Sequence, residues 1–177
     1  GEYIAALHAG AHNPQAGKAE HEAVEARIAA APALYDKVGI AHSPGLAEAV
    51  RPESVDVLLT FSNLHNWIVD GNVVEVVREF HAALKPGGVL GVVDHRGRSD
   101  LSQAAQLRSG YLREDEVVAL IEKVGFKLVA RGEMAANPRD TRDYPAGVWT
   151  LPPSLRMKDV DRAKYLAIGE SDKFTLK

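Results

Sequence analysis

The sequence predicts an α/β fold built on a parallel sheet, with helices on both faces and a final antiparallel strand. Three observations carry that prediction. Residues 55–61 and 89–94 are almost continuously apolar, as strands covered on both faces are. Apolar residues recur at helical spacing between and after them, at Val73, Val76, Val77, Phe80 and Leu84, then at Val117, Leu120, Ile121 and Val124. Both strands end in polar clusters, residues 62–67 and 94–98, on the rim where open parallel sheets bind ligands.

The elements follow in order. Residues 1–33 are rich in alanine and read as helix, most clearly over 20–31, where Ala23, Val24, Ile28 and Ala31 share a face and Pro32 sets the limit. A loop at His12-Asn13-Pro14-Gln15 divides this region into two helices. Residues 37–42 form a short buried strand, followed by the turn Ser43-Pro44-Gly45 and a weak helix over 46–50. After the strand at 55–61, the helix over 72–84 stops at Lys85-Pro86-Gly87-Gly88, which joins a helix breaker to residues that tolerate positive φ. The strand at 89–94 follows. A helix over 112–124 ends at Gly125 and leads into a third strand at 126–130. The alternation β-α-β-α-β implies right-handed crossovers. Residues 135–168 are proline-rich with little strand periodicity and read as a lid-like insertion, and residues 173–176 pair back as the antiparallel strand.

A chain of 177 residues is one ordinary domain, here spanning 1–177. Its composition, 46% apolar and 25% charged, is globular rather than disordered. The net charge of −3 comes without a basic run, so nucleic acid is not an expected partner. The absence of cysteine excludes disulfides, thiolate metal sites and a cysteine nucleophile. No apolar run approaches the roughly 20 residues of a membrane helix, so a soluble chain with no membrane partner is expected. Its expected place is the cytoplasm, or the periplasm where a signal peptide has been removed.

The chemistry is expected where the two apolar strands end. An imidazole ordinarily titrates near neutral pH, so His65 is a candidate general base, with Asn63 to position a polar ligand and His95 or Asp94 to orient it. Against this stand a helix-capping role for His65 and a local ion-pair cluster at Asp94-His95-Arg96. No His-x-x-x-His or other ligand spacing is present, and no metal is expected. Trp67 and Trp149 read as packing residues or as platforms for a planar ligand, and Arg156 and Arg162 as a solvated face or a carboxylate clamp. His8, His12 and His21 read as surface residues.

Three stretches carry a resemblance: Ser54-Val55-Asp56-Val57-Leu58-Leu59, Ala83-Leu84-Lys85-Pro86-Gly87-Gly88-Val89-Leu90, and residues 120–128. In that order they resemble the fourth strand, the helix end with fifth strand, and the helix with sixth strand of class I S-adenosylmethionine-dependent methyltransferases, a Rossmann-like family. More narrowly, FSNLHNW, GVVDHR, PPSLR and the segment 165–171 are similar to a group of bacterial predicted methyltransferases of unknown substrate. The resemblance implies S-adenosylmethionine as cofactor and a small-molecule methyl acceptor beneath the 135–168 insertion. It implies that Ser62 and Asn63 face the methionine part of the cofactor and that His42 and Ser43 lie on the adenine side. The family's glycine-rich loop and the acidic residues that hold ribose and adenine have no counterpart here, so the resemblance implies a fold incomplete at its N-terminal side. Two outcomes follow from that departure. Either the chain transfers methyl groups, with His65, Asn63 and His95 at the centre, or it is a methyltransferase-like binding or scaffold domain. An unpaired apolar strand edge would also favour a homodimer.

Overall fold

The computed structural model describes residues 2–8 and 14–177. Strands and helices alternate: β1 (Tyr3–His8), α1 (Pro14–Ala30), α2 (Pro32–Tyr35), β2 (Val38–Ser43), β3 (Val55–Phe61), α3 (Leu64–Asp70), α4 (Val73–Ala83) and β4 (Leu84–His95). The second half comprises α5 (Gln103–Ser109), α6 (Glu114–Glu122), β5 (Arg131–Gly132), α7 (Arg162–Ile168) and β6 (Lys173–Leu176), with short 3₁₀ turns at Leu46–Glu48 and Gly147–Thr150.

Strands β1 and β2 form a parallel pair, and a four-stranded sheet has the order β3-β4-β6-β5. Strand β4 runs parallel to β3, with Leu58 opposite Leu90 and Phe61 opposite Val93. Strand β6 is antiparallel to both β4 and β5, which gives the final antiparallel strand read from residues 173–176.

An apolar core joins the central elements. Val76, Val77 and Phe80 of α4, Leu64 and Trp67 of α3, and Val117 and Ile121 of α6 pack with Leu90 and Val92 of β4 and Phe174 and Leu176 of β6. The α4 spacing read from sequence is the face that is buried. The other side of β3 is open: Val57, Leu59 and Phe61 alternate outward and stay more than half exposed. Among the described residues, no helix is long and apolar enough to cross a membrane.

Two expectations need correction. Residues 3–8 are strand, not helix. Alanine favours helix, but each residue from Tyr3 to His8 has a partner from Val38 to Ser43, and that pairing overrides local propensity. The expected third strand at 126–130 has no ladder of its own. Strand β6 lies between β4 and β5, so this segment runs past the end of β6, where the Val129 and Ala130 N–H groups donate to the Lys177 carbonyl at 2.8 and 3.2 Å. Pairing starts only at Arg131 and is antiparallel. Helices α3 and α5 were not foreseen, and α1 already begins at Pro14, within the expected loop. His12 and Asn13 of that loop lie outside the described residues.

Candidate active site

Period-two alternation along β4 turns Leu90, Val92 and Asp94 toward the core. The last of these puts a fully buried carboxylate under the first turn of α3. One oxygen of Asp94, Oδ2, accepts the backbone N–H groups of Leu64 at 2.8 Å and His65 at 3.3 Å. The other, Oδ1, accepts the His95 N–H at 2.7 Å and lies 3.0 Å from His65 Nδ1. Four donors thus fill the lone pairs of a carboxylate. Burial works to raise the Asp94 pKa, but the His65 hydrogen bond, the neighbouring histidines and the His95 amide outweigh it and hold the group below the ordinary carboxylate range. An ionised carboxylate only accepts, so His65 carries its proton on Nδ1 and turns Nε2 to other partners.

His95 is the next residue along β4. Its Nδ1 lies 2.5 Å from the Ser171 hydroxyl oxygen. Burial pulls its pKa down to about 4 against the opposing pull of Asp94, so the ring is neutral at physiological pH. The two imidazole centroids are 5.0 Å apart, and the Trp149 ring stands edge-on to His65 at 5.9 Å. Together they line a cavity of about 330 Å³ whose walls also include Ser62, Asn66, Pro152, Pro153 and Ser171. Lys173 and Glu170 lie at the same cavity and pair with each other at 2.6 Å. A larger cavity of about 700 Å³ sits at the other end of β4, with Leu84, Leu90, Ile121 and Phe126 among its walls. It is mainly apolar and away from this histidine pair.

Buried polar contacts hold the segment that carries Ser171. Asp172 receives the Asn137 N–H at 2.9 Å and pairs with Arg142 at 2.8 Å. Its own N–H donates to Asp140 at 2.7 Å, and Asp140 also accepts the hydroxyl of the fully buried Tyr111 at 2.9 Å. Burial, reinforced by Asp140, pushes the Tyr111 pKa well above that of a free phenol, so its proton stays in place. The network ties the start of the 135–168 insertion to the start of β6. That insertion supplies Trp149, Pro152 and Pro153 to the cavity.

The structure brings Ser62, His65 and His95 to one cavity. Ser62 adopts φ of +52° there, a backbone strain seldom found outside functional or turn positions. Asn63 stands apart: it is the residue before α3, and its carbonyl accepts the Asn66 and Trp67 N–H groups, while Asn66 lines the cavity instead. His42 and Ser43 end β2 and are not in the cavity wall. His42 is exposed beside His21, with ring centroids 4.9 Å apart. Ser43 is buried, and its hydroxyl has no hydrogen-bond partner among the described residues, which suits a polar ligand at the end of β2. Trp67 packs in the core against Phe80, whereas Trp149 reaches the cavity with Arg156 over its ring at 4.6 Å.

Ser171 and the Glu170–Lys173 pair were not anticipated as site residues. The polar cluster Glu170-Ser171-Asp172 directly before an apolar strand was the available signal. A ring nitrogen of His65, one of His95 and an Asp94 oxygen lie within 4.8 Å of one another, close enough to share a cation. Both Asp94 oxygens already hold N–H donors, so a cation would have to displace them.

No family model matches the chain, and no curated protein matches it by sequence. Solved structures do. The 4+2 cyclase SpnF superposes on 99% of this chain and 74% of its own, with 15% identity and a TM-score of 0.62. The mitomycin 7-O-methyltransferase MmcR matches 73% of this chain at 21% identity and a TM-score of 0.50. That match spans 44% of the methyltransferase's own length. Parallel strand pairs, the helices packed on them and the antiparallel last strand give this chain a class I methyltransferase-like α/β fold.

Proposed function

We propose that this chain transfers a methyl group from S-adenosylmethionine to a small molecule bound in the cavity that His65 and Trp149 line. Fold does not choose the reaction, since one similar structure is described as a cyclase and another as an O-methyltransferase. The carrying observation is the buried Asp94–His65 pair, 3.0 Å apart, at the wall of a 330 Å³ cavity. Asp94 fixes the ring orientation and the Nδ1 proton, leaving Nε2 to take a proton from the acceptor hydroxyl. The charge that develops on the imidazole is then held by a carboxylate already ionised.

Ser62 and Ser43 are the residues we assign to the cofactor, supported by strain at the first and an unpartnered buried hydroxyl at the second. His42 and Asn63 flank them and belong to the same proposed rim. When bound, the cofactor supplies a sulfonium methyl, an electrophile that needs alignment more than acid assistance. The residues of the chain orient the acceptor, remove its proton and keep water out. The 135–168 insertion, through Trp149, Pro152 and Pro153, acts as the cover.

Calorimetric titration with S-adenosylmethionine and with S-adenosylhomocysteine tests the reading. Saturable micromolar binding of both is expected, weakened when Ser62 is replaced. No heat with either ligand would overturn it.

A further inference from the structure

We propose that the larger cavity, at the start of β4, is a strand-shaped site that binds an extended segment of a second polypeptide, apolar at alternate residues, as an added strand in line with β6. The site is separate from the histidine cavity and does not depend on methyl transfer.

Strand β6 lies between β4 and β5 but spans only part of β4. It pairs with β4 from Val92 to His95, whereas β4 pairs with β3 from Leu84 onward. Before Val92, β4 therefore has a neighbouring strand on one side alone. Across the line of β6, residues 126–130 lead into β5 and flank that line at one strand's spacing, about 4.8 Å. The cavity of about 700 Å³ occupies the space between, with Leu84 and Leu90 on one flank, Phe126 and Leu128 on the other, and Val118 and Ile121 of α6 on the core side.

The hydrogen-bond register fixes which backbone groups face the cavity. The Arg96 N–H donates to the Asp172 carbonyl at 2.9 Å, and Asp94 and Val92 lie opposite Phe174 and Leu176. Bonded pairs alternate along an antiparallel ladder, so Leu90 is the next residue to turn its N–H and C=O to that side. On the other flank the Lys177 N–H donates to the Ala130 carbonyl at 3.0 Å, and the Val129 and Ala130 N–H groups both return to the Lys177 carbonyl. Two residues against one make a bulge, which leaves Leu128 beside the next position in the line and Lys127 beside the one after. The Leu128 N–H points away, to Glu122 at 3.4 Å, and among the described residues the Lys127 N–H has no partner. Side chains agree with this register: Leu90 is buried and Leu128 half-buried, whereas Lys127 is exposed. A strand running as β6 runs, antiparallel to both flanks, exchanges hydrogen bonds with Leu90 through its first residue and with Lys127 through its second. Its first and third side chains face the core. Hydrocarbon would fill the apolar volume but leave those backbone groups unpaired, and an extended peptide satisfies both.

Fluorescence anisotropy with the peptide Val-Lys-Val-Lys-Val, acetylated at its N-terminus and dye-labelled at its C-terminus, tests the site. The comparison is the same peptide with every backbone nitrogen methylated, which keeps the side chains and removes the N–H donors. Saturable binding is expected, at least tenfold tighter for the unmethylated peptide. Lys127→Pro deletes the N–H and should weaken binding at least tenfold, while Lys127→Ala, which keeps it, stays within twofold. Amide hydrogen exchange at Leu90 and Lys127 of the unaltered chain should slow at least tenfold when the peptide is added. Should Lys127→Pro lose its fold by circular dichroism, the methylated peptide and the exchange rates still decide. No saturable binding, equal affinity for the two peptides, unchanged exchange at both amides, or equal effects of the two substitutions in folded chains overturns the proposal. Decanoate binding as tightly as the peptide would make the cavity a hydrocarbon site and overturn it too.

Discussion

Asp94 gathers four N–H donors on two oxygens, so the two histidines, the start of α3 and the end of β4 depend on one side chain. In Asp94→Asn one oxygen becomes an amide nitrogen that cannot accept, and buried donors are stranded. We expect a loss of about 1–3 kcal/mol in chemical denaturation. Methyl transfer, once an acceptor is known, should fall by about 10²–10⁴-fold in this variant and in His65→Ala, with little further loss in the double variant. Additive losses would mean that the two residues do not act as a unit. His95 adds a pH dependence. Its pKa falls from 6.5 to about 4 on folding, so the unfolded chain binds more protons between those values. Its contribution to stability is complete above about pH 6.5 and is lost as pH falls toward 4. Asp94, also lowered, acts in the same direction at lower pH. The urea midpoint should therefore drop between pH 7 and pH 5, and drop less in His95→Phe. Equal midpoints at the two pH values would contradict the burial of a neutral ring.

At the scale of elements, the 3₁₀ turn Gly147–Thr150 delivers Trp149 by passing very close to the end of α5. Gly147 has φ of +56°, and a Cβ there would lie 2.1 Å from the Ser109 carbonyl oxygen. Gly147→Ala is expected to destabilise the protein by more than about 1 kcal/mol and to shift Trp149 emission. An unchanged melting temperature and spectrum would show that the turn is not so constrained. How far such elements could be read from sequence depended on where their partners lie. Strands β3 and β4 were legible because each is a nearly continuous apolar run, although one face of β3 proves open, and α4 because one buried stripe repeats every turn. Strand β1 was not, because Ala5 and Ala6 suit either state and only the pairing with β2 decides. The segment 126–130 has strand-like residues but pairs only with Lys177, at its Val129-Ala130 end, a matter of where β6 ends. Within the site, His65 and His95 were legible as polar ends of apolar strands. Ser171 reaches His95 across 76 residues of sequence, a contact no local pattern encodes. Asn63 failed to reach the cavity because helix α3 starts immediately after it and turns Asn66 there instead.

For the whole molecule, the outward side of β3 is the feature at odds with an isolated chain in water. Val57, Leu59 and Phe61 are 55%, 58% and 60% exposed on an edge strand, an arrangement that invites association. We expect mass in light scattering to rise with protein concentration, and Leu59→Lys to hold it at the monomer value. A concentration-independent monomer mass for the unaltered chain would contradict this. The contact between Ser171 and His95 also orders events in time. During synthesis the ribosome releases His65, Asp94 and His95 well before Ser171, which follows His95 by 76 residues. At translation rates of about 5–20 residues per second, that interval is roughly 4–15 s. Through it the nascent chain can own a His–Asp pair but not the hydroxyl that bonds His95. The wall of the cavity is therefore complete only once the segment leading into β6 has been made.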